Sequence, residues 1–155
     1  MDDSHIIQAA IVTTPEVIDE KAIPDLLQQI TVPVEQYSAD KAYDSANVYE
    51  VLSVHSPGAD IAIPPDANAV IDKANHPIRN KHVQEIEKHG MMEWQRLHGY
   101  GKRNDSELAF RRYKMIFGNT MQARELSRQK TEGMIACGVL NKMTRIGMPK
   151  SYRVA

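Results

Sequence analysis

Between Tyr100 and Lys114 the chain reads YGKRNDSELAFRRYK, a run in which one carboxylate, Glu107, lies among cations. On a helix of about 100° per residue, Tyr100, Arg103, Glu107, Arg111 and Lys114 share one stripe about 80° wide. Ala109, Phe110, Tyr113, Ile116 and Phe117 fall on the opposite arc, which reads as a core face. Two chemistries suit the stripe. The plain one is a solvated helix face, with Arg103–Glu107 and Glu107–Arg111 pairs contributing about 0.3–0.5 kcal/mol each. The reactive one is a carboxylate that holds a divalent cation while neighbouring cations grip phosphate. One carboxylate cannot hold such an ion alone, so the second reading requires another acid. Asp40 meets that requirement, because SADKAYD places it at the C-terminal end of an expected strand, where α/β sheets gather their ligands. It equally suits a turn or capping role, and Asp44, in the turn that follows, is the second choice.

These residues need elements to carry them. HIIQAAIVTT (5–14) is apolar and β-rich and reads as a strand ended by Pro15, preceded by a turn in MDDS. PDLLQQI (24–30) reads as a short helix opened by Pro24, VEQYSAD (34–40) as a strand, and SANVYEVLSVH (45–55) as a helix capped by Ser45. ADIAIPP (59–65) reads as a short strand closed by two prolines. This alternation predicts an α/β layer. Residues 66–80 are polar and irregular, a loop or insertion. The remainder is helical: 82–99 broken at Gly90, 104–121 capped near Asn104, Asp105 or Ser106, and 125–147. The whole of 1–155 reads as a single domain. Trp94 has two readings, a ring that stacks on an unpaired base or a core residue among Met91, Met92 and Leu97.

Composition narrows the class. Hydrophobic content of 42% and charged content of 25% are those of a soluble globular protein, and no apolar run reaches membrane-spanning length. The acidic MDDSHIIQAA start is unlike a secretory signal, and one cysteine excludes an internal disulfide, so a cytoplasmic setting is expected. Neither Cys137 nor the six histidines form a CxxC or HExxH spacing. The net charge of −1 hides a split: residues 1–78 hold 3 Lys/Arg against 13 Asp/Glu, and residues 79–155 hold 16 against 7. A basic half admits a nucleic-acid partner, and equally two solvated surfaces of opposite sign.

Tyr100, Arg103, Glu107 and Lys114 match the Y-x2-R-x3-E-x6-K signature of bacterial insertion-sequence DDE transposases, which the chain resembles over roughly residues 5–148. SADKAYDS resembles the block around that family's second aspartate, and AIPP its next strand. The resemblance implies a ribonuclease H-like fold with a helical C-terminal half, and DNA strand cleavage and joining by two-metal phosphoryl transfer. It makes Asp40 and Glu107 catalytic, metal-binding acids for Mg2+ or Mn2+. Tyr100, Arg103 and Lys114 become the grip on transposon-end DNA, with Arg111 adding a backbone contact and Arg112 turned away.

The family pattern also has a first aspartate, at the end of an earlier, central strand. Asp2 and Asp3 lie in the opening turn, and Asp19, Glu20 and Asp25 between two later strands, so none matches it. The expectation is therefore an incomplete fold lacking its N-terminal strands, a truncated catalytic domain inactive alone. An N-terminal transposase fragment in trans would complete it, and the chain could form a homo-oligomer. The alternative expectation is a non-catalytic DNA-binding or transposition-interfering protein.

Overall fold

The computed structural model describes residues 5–74 and 76–147. The opening turn expected in MDDS lies outside them. The chain divides into two compact units, one spanning Val17–Asn104 and the other joining the stretch up to Glu16 with Asp105 onward. The architecture is mixed α/β and mostly helical, with two short parallel strands among the described residues. Among these residues no helix is long and apolar enough to cross a membrane.

In the Val17–Asn104 unit, β1 (Gln36–Ser38) pairs in parallel with β2 (Asp60–Ala62), in the register Gln36↔Asp60, Tyr37↔Ile61 and Ser38↔Ala62. Helix α2 (Ala46–His55) supplies the crossover, and Ser45 caps it as expected, its Oγ accepting from the Val48 amide at 3.3 Å. Helix α1 (Asp19–Leu27) starts five residues before the expected opening, so Pro24 lies inside it rather than at its start. Pro24 has no amide to give the ladder, and Asp19 and Glu20 in the first turn favour the earlier start through the helix dipole. The core gathers Ile23, Leu27, Val48, Tyr49, Leu52, Ile61 and Ile63. The strands are shorter than their sequence patterns because each pairs only over three residues.

Residues 66–74 carry neither helix nor strand, but the polar stretch ends sooner than 80. Helix α3 (Pro77–His89) starts at a proline in the first turn, and the His76 side chain accepts from the Ile78 amide at 3.3 Å. Gly90, at φ 82°, separates α3 from α4 (Met91–Leu97) where the break was expected. A 3-10 turn, Tyr100–Arg103, follows.

The other unit carries α5 from Asp105 onward (the helix runs Asn104–Phe117) and α6 (Leu126–Ile146). The strand expected at 5–14 is not formed among the described residues. The segment instead lies on α6, where the Asn141 side chain mimics a strand neighbour: its Oδ1 accepts from the Ile7 amide at 2.8 Å and its Nδ2 donates to the Ile7 carbonyl at 2.9 Å. Val12 meets α6 at Gly133, where a Cβ would sit 2.8 Å from the valine Cγ2. Arg112 donates to Thr144 Oγ1 at 2.9 Å, tying α5 to α6. The apolar arc of α5 is covered only in part: Ala109, Tyr113 and Phe117 are half-buried, while Phe110 is 70% exposed and Ile116 46%.

Candidate functional site

Asp40 follows β1 by two residues and opens a 3-10 turn (Lys41–Tyr43), where its Oδ1 accepts from the Ala42 amide at 2.9 Å. The capping role and the site role are therefore not exclusive, since each uses a different oxygen. The second oxygen, Oδ2, lies 3.9 Å from Arg103 Nη1. Arg103 in turn lies over the Tyr100 ring, its guanidinium carbon 5.7 Å from the centroid. Three residues of the site read from the sequence, Asp40, Tyr100 and Arg103, thus come together although the first is 60 positions from the second. The carboxylate is half-exposed and Arg103 partly buried. A long contact at that exposure is worth little in stability. Its interest is positional.

Glu107, Arg111 and Lys114 lie in the other unit, exposed on α5 at successive turns, as the wheel anticipated. Arg112 points to Thr144, off that stripe.

The donor chemistry at Asp40 fits a hard divalent ion: a half-exposed carboxylate with one oxygen left over from capping. Asp44 does not fit. Its carboxylate, with the side chain 4% exposed, takes Arg79 Nε at 3.0 and 3.1 Å, the Tyr49 hydroxyl at 3.2 Å and the Asp66 amide at 3.4 Å. It is an internal tie between the loop after β1 and α3. Burial, and secondarily the charge of Asp44, push the Tyr49 hydroxyl far above its ordinary range, so it stays a donor. Glu20 accepts from the Ser45 hydroxyl at 2.8 Å. Asp19 and Asp40 both act on Tyr43, whose hydroxyl is raised first by burial and then by these two charges.

Trp94 is fully buried, so the base-stacking reading gives way to a core one. Its neighbours are not those expected: Met92 is exposed, and the indole lies among His82, His98 and Tyr100, with centroids at 5.3, 5.1 and 5.5 Å. Its Nε1–H donates to His82 Nδ1 at 3.0 Å, and His82 Nε2–H donates to the Ile61 carbonyl at 2.7 Å. Both ring nitrogens of His82 are thereby assigned, one acceptor and one donor, in the neutral tautomer. Burial lowers its basicity first, and the nearby His98 lowers it further, against the pull of the Ile61 bond.

His98 completes this group. Its Nδ1 faces Asp60 Oδ1 at 2.9 Å and its Nε2 faces Glu85 Oε2 at 2.7 Å. His82, Glu85 and His98 offer ligand atoms within 4.8 Å of one another, close enough for a metal ion. In this structure each member of the cluster already has a hydrogen-bond partner: His82 Nδ1 accepts from the indole, and the His98 ring lies between the Asp60 and Glu85 carboxylates. Sequence reasoning missed it because its members lie on β2, α3 and the end of α4. Only the i,i+3 pair His82 and Glu85 is visible in one dimension.

No solved structure matches the chain. The family described as Transposase DDE domain matches residues 1–142, nearly the whole length. A domain of that family has a role in DNA transposition and works with divalent metal ions, which agrees with an acid beside the basic and aromatic pair Arg103 and Tyr100. The chain belongs to the transposase DDE domain family.

Proposed function

We propose that this chain contributes two metal-binding acids, Asp40 and Glu107, and a phosphate grip, Tyr100, Arg103, Arg111 and Lys114, to DNA strand cleavage and joining. The approach of Arg103 to Asp40 at 3.9 Å carries this reading. A cation that close to a metal-binding carboxylate meets a phosphodiester where the chemistry would occur. Arg103 neutralises the phosphate, Tyr100 supports the guanidinium through its ring face, and Arg111 and Lys114 hold the flanking backbone. Asp40 and Glu107 would hold a divalent ion, Mg2+ or Mn2+, which when bound would supply Lewis acidity at the reacting phosphate. Both compact units are parts of one catalytic domain in this reading, in keeping with a family match that runs across them. Its core is of the ribonuclease H-like kind, and it acts on transposon-end DNA in the cytoplasm, as a homo-oligomer.

The reaction uses three acids, and two have matching positions in this sequence. The 155-residue chain alone is therefore expected to bind end DNA without cutting it, and to act when an N-terminal transposase fragment is supplied.

A salt titration of binding tests the grip, using a duplex bearing the inverted repeat that flanks the coding sequence and a scrambled duplex. Arg103→Ala and Lys114→Ala should each weaken binding several-fold and flatten the log–log salt slope by about one contact. Equal binding by parent and variants removes the grip. Failure of the parent to bind any duplex removes the DNA reading.

A further inference from the structure

We infer that His98 is a positioning residue, a three-point anchor that fixes the Tyr100–Arg103 turn alongside β1 and so sets Arg103 beside Asp40. The residue ends α4, and its neighbour Gly99 turns the chain at φ 54°, a left-handed conformation that favours glycine. Three bonds then hold the bend. Nδ1 reaches Asp60 at the start of β2, Nε2 reaches Glu85 on α3, and the His98 carbonyl accepts from Gln36 Nε2 at the start of β1. Gln36 and Asp60 are partners in the strand register, so His98 spans the first rung of the sheet from outside. Both ring nitrogens thus lie within hydrogen-bond distance of a carboxylate oxygen, one on each side of the ring.

Beyond the bend, Tyr100 lies on Trp94 at 5.5 Å and Arg103 on Tyr100 at 5.7 Å, ending 3.9 Å from Asp40. Asp40 leaves the far end of the strand that Gln36 begins. The turn thus runs along β1, pinned at one end by His98 and presenting its cation at the other. Trp94 is held in its turn by His82, which is fixed to Ile61 on β2. The same small sheet orients both the carboxylate and the cation of the site.

The consequence for DNA rests on the grip proposed above, whereas the anchoring does not, and two measurements separate them. Amide hydrogen exchange on the DNA-free chain reads the anchor. His98→Ala should speed exchange across residues 99–103 at least tenfold, with α2 unchanged. A double-variant cycle on the inverted-repeat duplex reads the consequence. With His98→Ala in place, Arg103→Ala should cost no further affinity, while Lys114→Ala keeps its full effect. A loss of fold would weaken both alike. Should His98→Ala fail to fold, Asp60→Asn, which weakens one anchor, replaces it in both measurements. Unchanged exchange at 99–103 overturns the anchor, as does one equivalent of tightly bound zinc lost in His98→Ala, because the ring would then be a metal ligand and not a tether between the two carboxylates. An undiminished Arg103 effect in the anchor variant overturns the positioning role. If the parent binds no duplex, the DNA reading fails and exchange alone decides the anchor.

Discussion

Acid should weaken this protein through His82 before its carboxylates titrate. The ring is 1% exposed, gives its one proton to the Ile61 carbonyl and receives the Trp94 N–H at Nδ1. Adding a second proton sacrifices the indole bond and charges a dry site beside His98. Burial, the largest cause, holds the folded value below the ordinary 6.5. A group depressed in the folded state stabilises fully above its unfolded value, and that stability is lost as pH falls below it. A folded ring that stayed neutral over the whole range sets the upper limit of the loss between pH 7 and pH 5.5 at about 1.2 kcal/mol, with a limiting slope of about 1.4 kcal/mol per unit. His82→Gln retains a donor for Ile61 and an acceptor for Trp94 in a group that does not titrate. Urea unfolding followed by Trp94 fluorescence, at both pH values and on both proteins, gives the comparison. The parent should lose more stability than the variant, by up to about 1.2 kcal/mol. Equal losses would refute the assignment of His82 as the acid-labile group.

The buried Asp44–Arg79 pair makes a second test. Arg79→Met leaves an uncompensated carboxylate and should cost about 3–5 kcal/mol in urea unfolding, whereas an exposed pair such as Lys41–Asp66 should cost under about 1 kcal/mol when broken. Gly133→Ala drives a methyl to 2.8 Å from the stiff Val12 side chain and should cost about 1–3 kcal/mol, read as a lowered Tm. A neutral effect there would show that Val12 yields freely. Asn141→Leu removes both bonds to Ile7 and should expose residues 5–14 to limited proteolysis, while cleavage within residues 77–97 stays unchanged. Trp94→Phe leaves His82 Nδ1 without its donor and should cost about 1–3 kcal/mol, an effect His82→Phe should largely remove in the double variant.

Much of the architecture was legible in local signals. Ser45 as a cap, Gly90 as a break and the strand–helix–strand order of β1, α2 and β2 are set by backbone preferences acting over a few residues, and each occurs where expected. Local reasoning failed where the outcome depended on a distant neighbour. HIIQAAIVTT has the pattern of a strand, yet a strand needs a ladder, and its segment meets the Asn141 side chain instead. Pro24 looked like a helix opening, but two acids upstream started the helix first.

The sequence by itself determined the family, because four side chains at fixed spacing along the chain are a one-dimensional fact. It also nominated Asp40, through the residue types at the end of a strand. Tertiary structure decided what surrounds them: that Arg103 reaches Asp40, that Asp44 is consumed by Arg79, and that Trp94 is locked to His82 in the core. It alone gathered Asp60, Glu85 and His98 from three elements into one anchor. The physical reason is that hydrogen bonds and ion pairs act over a few ångströms in space. Their partners are chosen by how strands and helices meet, which spacing along the chain does not encode.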